Sequence, residues 1–179
     1  MIVTLCGSAR FEPWFHAWNE ALGLAGHASF GLCAWPSRKG GWKDWYTAEQ
    51  KETLDRVHRD KIDASDAILV LNVFGYLGES TLREVAYAEE VQNIPAYFLE
   101  SWGKGCGIGP SHEESYRRAA AGYGVPERFG SPIAACDRPD AWRASLLGPA
   151  GSRRTAIVRF LEEEERRVWA AVGVARVGR

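Results

Sequence analysis

Paired cysteines are missing. Cys6, Cys33, Cys106 and Cys136 stand far apart, with no C-x-x-C pair and no Cys/His set at zinc-finger spacing, so neither a disulfide framework nor a structural metal is signalled, and reduced thiols in a cytoplasmic setting are expected. An excess of one charge is missing too: 22 Lys and Arg stand against 23 Asp and Glu. A chain built to neutralise phosphate backbones or anionic lipid carries a surplus of Lys and Arg, so neither a nucleic-acid polymer nor a membrane is expected as partner. No stretch of about 18 apolar residues is available to span a bilayer. The opening Met1-Ile2-Val3-Thr4-Leu5-Cys6 is too short and lacks the basic residues of a secretory leader. What is present is an ordinary globular balance, 46% hydrophobic and 25% charged residues over 179 positions, which suits one domain with a two-sided core.

Ile2 to Cys6 reads as a buried strand emptying into Gly7-Ser8. Pro13 fits a first helical position, and Trp14, Phe15, Trp18, Ala21, Leu22 and Ala25 recur at helical spacing until Gly26. A weak second strand is expected over 27–35, followed by a loop through Trp45. Thr47-x-x-Gln50 is a capping-box start for a helix reaching Asp63 or nearby. Residues 67–73 are almost continuously apolar, as in a parallel strand covered on both faces. A glycine-rich turn, Gly75 to Gly78, then leads into a helix opening at Ser80-Thr81 and running to about Gln92, and a further strand is expected over 96–99. Beyond Glu100, the Gly103 to Pro110 stretch reads as a loop able to act as a lid, 111–122 as a short polar helix, 132–136 as a possible fifth strand and 152–172 as a last helix. This β-α alternation predicts a doubly wound, Rossmann-like or flavodoxin-like α/β domain. Its four to five mainly parallel strands are flanked by helices, with a helical C-terminal extension over 101–179 and a ligand crevice beyond the carboxyl ends of the strands.

Two segments fall at those ends. Gly7-Ser8-Ala9-Arg10 supplies close backbone approach, hydroxyl and N–H donors and a guanidinium, the parts of a phosphate cradle; a plain strand-to-helix turn with a surface arginine fits the same spacing. Gly78-Glu79-Ser80-Thr81-Leu82-Arg83-Glu84 carries the second. Thr81-x-x-Glu84 has capping-box spacing, in which Glu84 would only satisfy a backbone N–H; yet Glu84 shares a helical face with Tyr87, Ala88 and Val91, which would aim its carboxylate into a partly buried cleft. On the preceding helix, His58 reads as exposed polar surface, Asp66 as a turn residue and Asp63 as a weaker site candidate. Trp35, Trp42 and Trp45 can either stack on a flat base or bury area in a core or interface.

Taken together, Cys6-Gly7-Ser8-Ala9-Arg10-Phe11, Lys61-Ile62-Asp63 before Ser65-Asp66-Ala67, and Gly78-Glu79-Ser80-Thr81-x-x-Glu84-x-Ala86-Tyr87-Ala88 resemble the nucleoside 2-deoxyribosyltransferase family and its nucleotide N-glycosidase relatives over residues 1 to about 100. The resemblance implies cleavage of an N-glycosidic bond in a nucleotide or nucleoside, by hydrolysis or by 2-deoxyribosyl transfer, in a homodimer or larger homo-oligomer without cofactor or metal. It implies Glu84 as nucleophile with Thr81 adjacent, and Gly7, Ser8 and Arg10 on the 5′-phosphate. Gly78, Ser80 and Thr81 complete the expected substrate-binding set, and Asp63 or Glu79 is the expected proton donor. Relatives carry an acidic or serine residue six positions before the nucleophile; here Gly78 stands there, beside Glu79, and no tyrosine ends strand one. Two other readings stand beside this one: a nucleotide-binding sensor without turnover, and a phosphoribohydrolase similar to cytokinin-activating proteins.

Overall fold

Val3, Leu5 and Cys6 are fully buried, and the strand they belong to, β1 (Ile2–Gly7), is paired on both sides, so it needs apolar side chains on both faces. The computed structural model describes residues 1–35, 45–99, 110–123, 146–147 and 151–172. Along the chain, β1 is followed by a 3₁₀ turn (Ala9–Phe11), α1 (Glu12–Ala25), β2 (Ala28–Phe30), α2 (Ala48–Asp63), β3 (Ala67–Leu71), a 3₁₀ turn (Val73–Gly75), α3 (Glu79–Ala86), β4 (Ala96–Phe98), α4 (Pro110–Gly122) and α5 (Ser152–Val172). Among the described residues the strands form one parallel sheet in the order β2-β1-β3-β4. The α/β expectation holds, and the order reverses between β1 and β3, the switch point at which open sheets of this kind leave a crevice.

Alternation along the strands divides the core in two. Val3, Leu5, Leu69 and Leu71 face Phe15, Trp18, Ala21 and Leu22 of α1 and Ile157 of α5. On the other face Cys6, Ile68, Val70 and Phe98 meet Ile62 of α2, Leu82, Val85 and Ala86 of α3, and Tyr116 and Ala120 of α4. Local chemistry sets the helix ends. Gly26 closes α1 in the left-handed conformation at φ 89°. Thr47 and Gln50 form the expected reciprocal capping box on α2.

The structure differs from the sequence reading at several borders. β2 is only three residues long, because Gly31 to Trp35 leave the sheet edge: Lys61 Nζ donates to the Gly31 carbonyl at 2.6 Å, and the Trp35 ring packs edge-on against Phe15 at 5.2 Å. Trp35 is therefore partly buried against the core, Trp45 is 52% exposed, and Trp42 lies outside the described residues. β3 stops at Leu71, where the chain turns through Phe74 (φ 56°) and Gly75 (φ 70°). The expected lid of 103–109 and fifth strand of 132–136 lie outside the described residues.

The helix expected to reach Gln92 instead widens after Ala86 into a π turn, Tyr87–Val91, with Gln92 N–H donating to the Tyr87 carbonyl at 3.1 Å. The extra residue turns Ala88, Glu89 and Glu90 inward together. Both carboxyls meet the buried Tyr116 hydroxyl, Glu89 Oε2 at 3.0 Å and Glu90 Oε1 at 2.9 Å. One hydroxyl has one proton, so one of the two contacts needs a proton from the carboxyl side. Burial pushes the Glu89 pKa up to about 7, with Glu90 adding to the rise and the Tyr116 hydrogen bond opposing it. The folded state thus holds this proton more tightly than the unfolded chain: its stabilisation is complete below about 4.5, the ordinary value, and is lost as pH climbs through about 7. Thermal or urea unfolding from pH 4.5 to 8 should show stability falling with pH, and Glu89→Gln should flatten that fall by up to roughly 3 kcal/mol; an unchanged slope in the variant would exclude Glu89 as its source.

Candidate functional site

Pairing of β1 with β3 runs from Val3 opposite Ala67 to Gly7 opposite Leu71, so the two strands end level and their loops emerge side by side. Gly7 adopts φ +155°, and a β-carbon there would lie 3.2 Å from the Leu71 carbonyl oxygen, 3.3 Å from Leu71 Cβ and 3.4 Å from the Phe15 ring. Glycine is needed because β3 and α1 both crowd the point where β1 turns out. Ser8 follows in extended backbone and makes no capping bond with its side chain. Arg10 is exposed and lays its guanidinium over the Tyr76 ring, 4.2 Å from the centroid. Tyr76 and Phe74 pack edge-on against Phe11, which ties the two loops together.

Between these loops lies a hollow of about 380 Å³, a volume ordinary for a small-molecule site. Gly7, Ser8 and Arg10 line it from the β1 loop; Gly78, Glu79, Ser80, Thr81, Arg83 and Glu84 line it from the start of α3. Lys51, Asp55 and His58 of α2 close the third side, and Cys33 lines it after β2. Eight of the nine residues expected to form a site thus surround one space. The ninth does not: Asp63 is exposed, and its carboxylate accepts the Tyr87 hydroxyl at 2.7 Å away from the hollow. Asp66 does act as a turn residue, accepting the Ile2 N–H at 2.7 Å.

Glu84 is not a cap. α3 begins at Glu79 with Gly78 as its N-cap, so Glu84 sits in mid-helix and its carboxyl turns inward. There the Cys6 thiol donates to it, and its Oε2 lies 3.7 Å from His58 Nε2. Burial raises its pKa to about 8, with the Cys6 hydrogen bond pulling the other way. His58 is likewise not the surface residue that its sequence context suggests. It is 6% exposed, with Nε2 3.5 Å from Cys6 Sγ. Burial depresses its pKa to about 4, helped by Lys61 and opposed by Asp55. The Cys6 thiol is pushed well up, first by burial and then by Glu84. All three groups are therefore driven toward their neutral forms, so a ligand or a change of pH that restores charge to Glu84 changes the site's chemistry. The three donor atoms lie within 4.8 Å of one another.

Charge around the hollow is divided. Lys51 and Asp55 pair at 2.5 Å on α2, Arg10 and Arg83 add cationic groups, and the first turn of α3, where the helix dipole favours negative charge, lines the same space. Sequence reasoning did not single out Cys6, Lys51, Asp55 or Tyr76 as site residues. For α2 the signal was present: Lys51, Asp55 and His58 recur at four- and three-residue spacing and so share one helical face.

Replacing Gly7 by Ala forces a side chain into the positive-φ region against the Leu71 carbonyl. It should lower stability by about 1–3 kcal/mol in chemical denaturation, whereas Gly78→Ala, whose added carbon meets nothing closer than the Tyr76 hydroxyl at 3.4 Å, should cost much less. Equal losses would contradict the crowding at β1. No protein-family profile, curated protein or solved structure matches this chain.

Proposed function

We propose that the protein cleaves the N-glycosidic bond of a nucleotide or nucleoside in the hollow at the ends of β1 and β3, with the Glu84 carboxylate acting on the sugar. The observation that carries this reading is convergence. The Ser8–Arg10 loop and the Glu84 carboxyl, 74 residues apart in the chain, line the same space. An anion-gripping bend beside an inward carboxylate suits a substrate with a phosphate at one end and a bond to an electron-poor sugar carbon a few ångströms away.

As the base leaves, the anomeric carbon gains oxocarbenium character, which a close carboxylate stabilises or traps covalently. Departure of the base requires a proton, and Glu79, which lines the hollow with solvent access, is the donor in this reading; Asp63 is too far removed to serve. Water then completes hydrolysis, unless a second base takes the sugar. Arg10 is held over Tyr76 at the mouth, and with Ser8 and the N–H groups of the β1 turn it grips the phosphate. Against a sensor without turnover, the inward turn of Glu84 beside a cavity favours chemistry at a sugar carbon, since a desolvated acid facing a cleft is the arrangement of a catalytic carboxyl; a phosphoribohydrolase uses the same carboxyl and is separated by the substrate panel.

The test is release of free base from a panel of nucleoside monophosphates and nucleosides, followed by chromatography. Glu84→Gln should reduce release by at least about 10³-fold; undiminished turnover would reject the assignment. Since the nucleophile must be ionised and its pKa is raised to about 8, kcat/KM measured on a glycoside whose leaving group departs without a proton should rise with pH and level off above that value, and an optimum below pH 6 would contradict it. Arg10→Ala should raise KM for phosphorylated substrates about tenfold or more while leaving unphosphorylated nucleosides nearly unaffected.

A further inference from the structure

Cys6, His58 and Glu84 come from three different elements, β1, α2 and α3, and each presents a different donor: a thiol sulfur, an imidazole nitrogen and a carboxylate oxygen. Two edges of the triangle are 3.5 Å, from Sγ to Nε2, and 3.7 Å, from Nε2 to Oε2. In a tetrahedral centre with Zn–S of about 2.3 Å and Zn–N or Zn–O of about 2.0–2.1 Å, ligand atoms stand roughly 3.3–3.6 Å apart. Those two edges match such a centre to within tenths of an ångström, and the third, from Sγ to the carboxylate, lies within 4.8 Å, so a small inward shift of the thiol or carboxylate closes the triangle on an ion. A second observation points the same way. Glu84 Oε2, the oxygen that faces His58 Nε2, is buried without a hydrogen-bond partner among the described residues. A buried acceptor left so costs about 1–3 kcal/mol, a cost that a cation at the centre of the triangle removes.

We propose that Cys6 Sγ, His58 Nε2 and Glu84 Oε2 form a binding site for a divalent cation of the zinc class. The donors select the ion: sulfur and imidazole suit Zn²⁺ or Co²⁺, whereas Mg²⁺ and Ca²⁺ take oxygen donors. His58 and Glu84 line the hollow while Cys6 lies behind them in the sheet, so the remaining coordination position opens to the hollow, as in zinc centres that bind a further ligand. Binding exchanges the Cys6 thiol proton and the Glu84 carboxyl proton, both of which pass to solvent, for sulfur–metal and oxygen–metal bonds. The site stands independently of the glycosidic reading; an ion bound there engages the Glu84 carboxylate, so cleavage in that reading belongs to the metal-free form.

Titration of the reduced, metal-free full chain with Co²⁺ tests it. One equivalent should bind with a thiolate-to-cobalt charge-transfer band in the near ultraviolet and the intense visible bands of a four-coordinate ion, and Zn²⁺ should displace it. Cys6→Ser should lose the charge-transfer band, Glu84→Gln should weaken binding at least about tenfold, and Cys33→Ser, whose exposed thiol lines the same hollow, should keep the band. Absence of the band in the parent protein, its persistence in Cys6→Ser, or its loss in Cys33→Ser would overturn the proposal. Should circular dichroism show that Cys6→Ser does not fold, Glu84→Gln decides: unchanged Co²⁺ affinity in that variant would overturn it equally.

Discussion

Parallel pairing of β1 with β3 is the constraint on which the site depends. The two strands run in register from Val3–Ala67 to Gly7–Leu71, and because they are neighbours with β2 on one flank and β4 on the other, their outgoing loops must diverge to opposite faces of the sheet. The gap between diverging loops is the hollow. A slip of one residue would reverse the facing of every β1 side chain. It would carry Cys6 from the face of α2 and α3 to that of α1, and no thiol would lie under Glu84. The hydrogen bond from Ile2 N–H to Asp66 and that between Thr4 and Ser65 at 2.7 Å hold the register from the other end.

Acidic side chains turn inward on both halves of one helical segment, and their surroundings differ. Glu84, on the regular part, meets groups that are themselves driven neutral, Cys6 and His58. Glu89, on the π turn, meets a phenol and a second carboxyl. Both are pushed upward by desolvation, and the first lines the hollow between the β1 and β3 loops. A closed acid pair against Tyr116 fastens α4 to α3, whereas an acid facing a hollow has a changeable environment. For that reason Glu84, and not Glu89, is the acid proposed for chemistry.

The strongly periodic or strongly punctuated elements were legible in the residues. α1 shows its apolar stripe and Gly26, α2 its Thr47–Gln50 box, and β3 its unbroken apolar run, and all three elements form, β3 ending two residues early at Leu71. Borders failed where long-range contacts decide them. Nothing local marks Phe30 as the end of β2, since the Lys61 ammonium that captures the following carbonyl lies 30 residues on. The π turn is equally silent, because a helical pattern read at 3.6 residues per turn does not register one inserted residue.

Residue types at the strand ends, a glycine where backbone must pass close, an arginine, and an acid on an inward helical face, were determined by the sequence alone, since strand and helix periods assign such faces without knowledge of partners. Which of those residues meet was decided only by tertiary structure. Cys6, His58 and Glu84 read in isolation as a strand residue, a surface histidine and an ambiguous cap; packing of α2 and α3 onto one face of the sheet makes them neighbours. Asp63 shows the converse, lying only five residues past His58 on the same helix yet turned to Tyr87 outside the hollow. Burial, and with it the shift of each proton equilibrium, belongs to the assembled layers: desolvation depends on what covers a group from every side, and no single segment carries that information.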